Sequence, residues 1–113
     1  MEEEYSEINI KSEGQTVSLA LSEFLVELDR AKFAGIKVIK VVHGYGSHGK
    51  GGEIKANFHR LLTDLKNRRK IRDFIKGEKI SKNLMSGFFY DYPFLALDAD
   101  IKNYNSGITL VML

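Results

Sequence analysis

The chain has 113 residues, a formal net charge of +2 and no cysteine. This length suffices for one domain that buries about two thirds of its unfolded surface without a metal or disulfide. The lack of cysteine excludes a disulfide framework, a zinc ribbon and a thiol nucleophile. The acidic start MEEEYSE has no hydrophobic segment, and no apolar run approaches the roughly 18 residues of a membrane span. We therefore expect a cytoplasmic protein without membrane contact, with an acidic flexible tail at residues 1–7 and a single domain at residues 8–113.

Three segments in the first half of the chain have clear periodic patterns. Apolar and polar residues alternate over 8–11, which predicts a short first strand. Apolar residues then recur at helical spacing over 17–31, and Thr16 or Ser18 can cap the start of this helix. The next segment, 36–42, is almost wholly apolar and predicts a strand that is covered on both faces in an α/β sheet.

A loop at residues 43–52 follows this strand and contains five of the protein's ten glycines. Ligands of open α/β sheets bind at this edge, and the positive end of the next helix, expected to begin near Glu53, points there too. Gly44 and Gly46 are expected to hold a positive φ or a close approach of the ligand, and Tyr45 offers a ring for stacking. The loop thus predicts an anion site. Its candidate contacts are Gly44, Tyr45, Gly46, Ser47, His48, Lys50, Gly51 and Gly52.

Two phosphate-binding patterns match this loop in spacing but not in detail. The first three glycines of the loop have the spacing of the dinucleotide fingerprint, but a glycine pair stands where the helix should begin. The fingerprint also needs an acidic residue at the end of the next strand, whereas Asp64, at the right spacing, falls on a predicted helix. Residues 44–50 fit the P-loop pattern, yet Gly51 replaces the Ser or Thr that would hold magnesium. A flexible loop that binds no ligand is the third interpretation.

A second helix is predicted by the apolar stripe over residues 54–65. Lys55, His59 and Lys66 fall on one flank of this helix, within about 40° of one another at 100° per residue. That flank extends the basic character of the residues that follow the helix.

The small net charge conceals a strong asymmetry along the chain. Residues 30–82 carry fifteen Lys or Arg against four Asp or Glu, a balance of +11, whereas residues 1–29 carry one against eight, or −7. Clustered cations release counterions when they bind phosphates, so this segment predicts a surface for a polyanion, with a solvated connection as the alternative. The candidate basic residues are Lys55, His59, Lys66, Arg68, Arg69 and Lys70.

The last third of the chain ends on a clear strand. Residues 71–75 can pair as a strand, and residues 82–90 predict a short helix before the protein's one proline, although the pattern here is ambiguous. Residues 108–113 follow a glycine and predict a buried strand. Five aromatic residues are expected to lie mainly in the core: Phe88, Phe89, Tyr90, Tyr92 and Phe94.

His43 is the histidine with the strongest indication of chemistry. At the end of a buried strand it can contact a phosphate or act as an acid or base near neutral pH, and the alternative role is to brace the loop through backbone hydrogen bonds. His48 and His59 are expected to be solvated. A site of three histidines would require the loop to fold back across a helical turn or more, so no metal site and no cofactor is predicted.

The order of these elements and two motifs resemble the small MutS-related (Smr) domain family. The motifs are HGYG at residues 43–46 and GITLVML at residues 107–113. The resemblance covers residues 8–113 and implies a two-layer α/β sandwich, a mixed sheet with helices packed on it in βαβα-β order. This fold is similar to the C-terminal domain of bacterial translation initiation factor three. The resemblance also implies nucleic-acid binding, with endonuclease activity in several members.

The first strand departs from the family pattern. In the family it ends in Leu-Asp-Leu-His-Gly, whose Asp and His are linked to cleavage, whereas Asn9 and Lys11 occupy those positions here. An amide cannot act as a general base, and an ammonium group cannot ligate a metal. A shifted alignment that matches Gly14 would bring in Glu13 as a carboxylate in a different geometry. The departure implies nuclease activity that is reduced or absent.

Three functions are consistent with these patterns. The first is a binding module for structured or branched DNA or RNA, in which the loop grips phosphates and residues 55–72 attract the polyanion. The second is an endonuclease in which His43, together with Glu13 or Glu53, activates water against a phosphodiester. The third is a protein-interaction module, with a protein or the ribosome as its partner.

Overall fold

The computed structural model describes residues 5–11, 16–44, 50–80, 90–98, 101 and 105–113. The strands in these ranges are β1 (Tyr5–Asn9), β2 (Val38–Val42), β3 (Asp73–Lys76) and β4 (Ile108–Met112), and the long helices are α1 (Val17–Phe33) and α2 (Lys50–Asn67). The sheet has the order β1-β2-β4-β3, with β1 parallel to β2 and β4 antiparallel to both neighbours. The predicted α/β architecture with a mixed sheet is thereby confirmed.

Helix α1 begins and ends at residues that the sequence pattern indicates. The Thr16 side chain accepts a hydrogen bond from the Leu19 backbone N–H at 3.1 Å, so Thr16 rather than Ser18 caps the helix. Gly35 follows the helix with φ 78°, a left-handed conformation that costs glycine little. Every third or fourth residue of the inner face is buried: Ala20, Phe24, Leu28 and Ala31.

Helix α2 begins earlier than the sequence predicts. It starts at Lys50 rather than near Glu53, so Gly51 and Gly52 lie in its first turn. Each glycine costs roughly 1 kcal/mol of helix propensity relative to alanine, and tertiary packing of the later apolar stripe overrides that local preference. Neither α1 nor α2 is apolar enough over a sufficient length to cross a membrane.

The main core lies between the two helices and one face of the sheet. Phe24 of α1 meets Phe58 of α2 edge to face, with ring centroids 4.8 Å apart. The fully buried members of this core are Ile10, Ala20, Phe24, Ala31, Ile39, Val41, Phe58, Leu62 and Val111.

The second face of the sheet is also covered, as the apolar pattern of β2 predicts. A 3-10 turn at Pro93–Leu97 contributes Leu95 to a second apolar cluster with Val38, Leu110 and Met112. One charged residue, Lys40, is buried in the middle of β2 at 5% exposure.

Two carboxylates neutralise this buried lysine. Lys40 Nζ lies 3.1 Å from both Asp98 and Glu7, and the Tyr5 hydroxyl donates to Asp98 at 2.7 Å. A buried ammonium group needs such partners because its desolvation is otherwise costly. The cluster also fixes residue 98, which follows the 3-10 turn, against the sheet.

Several boundaries differ from those expected. Strand β1 begins at Tyr5, so residues 5–7 belong to the sheet and not to a flexible tail, because Tyr5 packs against Phe94 and pairs with β2. The predicted strand over 71–75 is confirmed as β3 in part, at 73–76.

The aromatic residues that were predicted to lie in the core differ in burial. Tyr92 is buried at 8% exposure and Phe94 is half-buried, whereas Tyr90 is 89% exposed and is not part of the core. Tyr92, the residue directly before the 3-10 turn, packs in the second apolar cluster, whereas Tyr90 lies two residues earlier and is not one of its members. Phe88, Phe89 and most of the helix predicted over 82–90 lie outside the described residues.

Candidate functional site

One edge of the sheet gathers the two motifs. Strands β1 and β2 are parallel, so both end there, and β4 starts there because it runs antiparallel to β2. Strand β3 ends at the same edge, and α2 begins there. We call this region the His43 edge, defined by Lys11, His43, Gly44, Lys76 and Thr109.

His43 is enclosed at this edge and braces the chain. Its ring is 0% exposed, with Nδ1 2.9 Å from the Gly44 carbonyl oxygen and Nε2 2.8 Å from the Thr109 hydroxyl. A carbonyl oxygen can only accept, so Nδ1 carries the proton and Nε2 accepts from Thr109. Because both nitrogens are occupied, the imidazole does not face a ligand in this conformation. The geometry matches the bracing role rather than direct contact with a phosphate.

His59 is the second imidazole on the same hydroxyl. Its Nε2 lies 2.8 Å from Thr109 Oγ1, and its ring stacks on Phe74 at a centroid distance of 6.3 Å. Since the Thr109 proton is directed to His43, the Thr109 oxygen accepts from His59 Nε2–H. The prediction that His59 is a solvated surface residue is therefore wrong, because its side of α2 packs on the sheet.

Both imidazoles are held in the neutral form. Burial is the largest of the causes that lower the pKa of His59 from 6.5 to about 4, and the nearby His43 and Lys76 contribute to the same shift. Burial also lowers the pKa of His43, against the opposing effect of its hydrogen bond to the Gly44 carbonyl. The hydrogen-bond chain requires a neutral His43, since a doubly protonated ring has no acceptor for the Thr109 hydroxyl.

The free energy of unfolding is expected to fall between pH 6.5 and pH 4. In this range the unfolded chain binds a proton on His59 that the folded chain excludes, so each pH unit costs up to about 1.4 kcal/mol per histidine. Urea unfolding measured at several pH values tests this, and His59→Gln should make the dependence shallower. Glu78, whose pKa is lowered from 4.5, adds an effect of the same sign only below that pH. A pH profile identical in the variant would contradict the assignment.

Gly44 lies where the motif at residues 43–46 contacts the motif at residues 107–113. Its φ is 83°, and an added Cβ would lie 3.2 Å from Lys11 Cδ. The backbone N–H groups of His43 and Gly44 both donate to the Gly107 carbonyl oxygen, at 2.9 and 3.0 Å. The expectation that glycine is needed here for its positive φ is confirmed for Gly44. Gly46 lies outside the described residues.

The two positions that depart from the family pattern lie at the same edge. The Asn9 side-chain oxygen accepts from the Lys11 backbone N–H at 2.8 Å, so Asn9 stabilises the turn that ends β1. The exposed Lys11 side chain crosses toward Gly44. A cation therefore stands where the resemblance implies an imidazole.

The predicted basic residues divide into two groups. Lys55 and His59 lie at the His43 edge, and Lys55 Nζ pairs with Glu78 at 2.7 Å. Lys66 to Lys70 lie at the other end of α2, since twelve helical residues at 1.5 Å each place Asn67, the last residue of the helix, about 18 Å from Lys55 along the axis, and Arg69 lies beyond it.

Two cations of the distant group are also paired. Lys66 lies 2.9 Å from Asp73, and Arg68 lies 3.2 Å from Asp64. Arg69 and Lys70 are exposed and have no ion-pair partner among the residues that the structure describes.

The rest of the predicted loop contacts are only partly placed. Tyr45, Ser47 and His48 lie outside the described residues, while Lys50, Gly51 and Gly52 form the first turn of α2. Within the described ranges no three His, Asp or Glu side chains are grouped as metal ligands.

Sequence reasoning gave Thr109 no role, although it joins two histidines. The available signal was its polarity: a hydroxyl within an otherwise apolar strand must find a hydrogen-bond partner. Glu78 was also missed, because its contact with Lys55 spans 23 positions of sequence.

Comparison with known proteins supports one fold. No family model matches the sequence, and no curated protein matches it. Among solved structures, the crystal structure of the Smr domain of Thermus thermophilus MutS2 is similar, with a TM-score of 0.61 and 19% sequence identity. The likeness covers 96% of each chain. The chain therefore has the fold of an Smr domain.

Proposed function

We propose that this chain binds nucleic acid at the His43 edge without cleaving it. The observation that carries the proposal is the exposed Lys11 side chain lying against a glycine of positive φ at the edge where α2 begins. A lysine there supplies a charge for a phosphate, and the absence of a Cβ at Gly44 lets the exposed Lys11 side chain lie against the backbone at this edge. The first-turn N–H groups of α2 point toward the same region.

Other groups at this edge add to the positive potential. Lys76 lies close enough to His59 to lower the pKa of that histidine. The start of α2 contributes the equivalent of roughly half a positive charge. Lys55 adds less, because Glu78 neutralises it at 2.7 Å. Lys11 follows β1 and Lys76 ends β3, the two outer strands of the sheet, so the two cations are separated and are expected to contact different phosphates of one strand.

The same geometry argues against hydrolysis. A phosphodiesterase of this type needs a base or a metal to activate water. Asn9 is an amide engaged in a turn, and His43 is neutral, buried and hydrogen-bonded at both nitrogens. Glu53 is an exposed carboxylate in the first turn of α2, with no described histidine bonded to it. These residues support binding more than turnover.

Titration with labelled oligonucleotides should show salt-dependent binding without strand breaks. Lys11→Ala is expected to weaken binding to every sequence and to reduce the log-affinity versus log-salt slope by about 0.9 for a duplex. Arg30→Ala on α1 is the matched control, because Arg30 is exposed and far from this edge. Supercoiled plasmid and structured RNA, incubated with magnesium or manganese, should stay intact.

Two results would contradict this proposal. Metal-dependent nicking by the parent, lost in Glu53→Gln, would favour the hydrolase alternative. Equal affinities for parent and Lys11→Ala, with no salt dependence, would favour a protein-interaction module. For that module α1 offers Leu19, Val26 and Phe33, exposed at 56%, 64% and 95% and spaced seven residues apart.

A further inference from the structure

A second concentration of positive charge lies away from the His43 edge. The ends of α1 and α2 form an open cleft with a volume of about 500 Å³, and Ile71 and Leu113 are part of its lining. We call it the far-end surface. Its basic residues come from both helix ends and from the residue before β3: Lys32, Lys66, Arg69, Lys70 and Arg72.

The backbone at Arg69 is unusual for an arginine. Its φ is 61°, and two hydrogen bonds, Arg69 N to Lys66 O at 3.0 Å and Lys70 N to Leu65 O at 2.8 Å, form a Schellman motif. Glycine is the usual residue at this position, since a side chain there costs roughly 1 kcal/mol. Arg69 therefore places an exposed positive charge at a position where glycine would make the fold more stable.

The number of cations exceeds what the helix ends need. Two helix C-termini together present the equivalent of about one negative charge. Asp73 neutralises Lys66 at 2.9 Å. Asp91 lines a neighbouring cleft together with Arg72, so the remaining cations leave an excess of roughly two positive charges, which a helix-capping role does not account for.

We propose that the far-end surface is a second phosphate-binding surface, and that one nucleic acid bridges it to the His43 edge. This inference rests on the proposed function and adds a minimum ligand size. The two regions are separated by at least about 18 Å, from Lys55 to the end of α2 at Asn67, which corresponds to about five base pairs at 3.4 Å each. Shorter ligands can occupy only one of the two surfaces at a time.

Charge selects the route between the two surfaces. Arg72 directly precedes β3 and Lys76 ends it, and β3 is an edge strand that runs from the far-end surface to the His43 edge. Two carboxylates on this route, Asp73 and Glu78, are neutralised by Lys66 and Lys55. The exposed side of α1 carries Glu23 and Asp29, which repel phosphates. We therefore place the bridging strand along β3.

The test compares two hairpin stems of about four and about twelve base pairs, which cover about 14 and 41 Å. The far-end variant is Arg69→Gly with Lys70→Gln. Glycine suits the φ of 61° at position 69, so this variant removes two charges without straining the fold. Its control, Arg30→Gln with Arg60→Gln, removes two exposed charges from the outer sides of α1 and α2. Melting temperatures establish that both variants are folded.

The parent is expected to bind the long hairpin at least about tenfold more tightly than the short one, because the second contact is intramolecular. The far-end variant should lose that advantage and about two units of salt slope, while its affinity for the short hairpin falls no more than about twofold. The control should keep the length advantage. If the far-end variant and its control prefer the long hairpin over the short one to the same degree, the bridging inference is wrong but the proposed function stands. If the parent binds neither hairpin, the proposed function is wrong. Tighter binding of polyglutamate than of the long hairpin would assign the far-end surface to an acidic protein.

Discussion

Replacing Gly77 by alanine is expected to destabilise the fold by about 3 kcal/mol, the upper part of the range for overpacked sites. Gly77 is buried directly after β3, and an added Cβ would overlap the Asn105 backbone carbonyl and lie 2.8 Å from the Ile108 carbonyl oxygen. Backbone atoms cannot move aside as the end of a flexible side chain can. The start of β4 would have to shift, and with it the hydroxyl of Thr109. Urea unfolding of parent and variant measures the difference.

Gly35→Ala is the matched control for this change. Gly35 has a φ of 78°, so alanine is strained there, but its added Cβ meets no atom within 4 Å. We expect a cost of about 1 kcal/mol from the backbone conformation alone. If the two alanine variants unfold at the same urea concentration, the close contact between Gly77 and the start of β4 does not add to the cost of the substitution, and the prediction is wrong.

Replacing Thr109 by valine is expected to cost about 2 kcal/mol at pH 7. Valine has nearly the same shape, so the change removes the hydroxyl and little packing. The fully buried His43 Nε2 then loses its donor, and a buried polar group without a partner costs about 1–3 kcal/mol. His59 loses the same partner, but it is half-buried and water can replace the hydroxyl.

Thr109→Ser keeps the hydroxyl and separates the hydrogen bonds from packing. Serine should retain most of the stability, losing about 1 kcal/mol for one buried methyl group. In Thr109→Val the pH dependence below pH 6.5 should also weaken, because only the neutral form of His43 can accept from the Thr109 hydroxyl, and the variant removes this preference for the neutral form. Serine and valine variants of equal stability would show that the hydroxyl does not hold the two rings.

Much of the fold could be predicted from local patterns. The cap at Thr16, the apolar stripe of α1 and the apolar run of β2 each depend on residues close together in sequence. The order of elements and two motifs were sufficient to suggest the fold that the comparison then supported at 19% identity. Local patterns failed where a distant contact decided the outcome. Strand β1 starts at Tyr5 because that ring packs on Phe94, and α2 starts at Lys50 despite two glycines.

The candidate site shows the same division. The sequence by itself determined that a glycine-rich turn with an adjacent histidine ends a buried strand, because strand periodicity and glycine spacing are local properties. Only the tertiary structure decided that His43 is a brace, since β4 brings Thr109 to within 2.8 Å of it across 66 positions of sequence. Tertiary packing likewise placed Lys32 of α1 beside the cations that follow α2, while the length of α2 separated those cations from the His43 edge. Burial and charge at a site are sums over residues that the fold brings together, and no local pattern contains them.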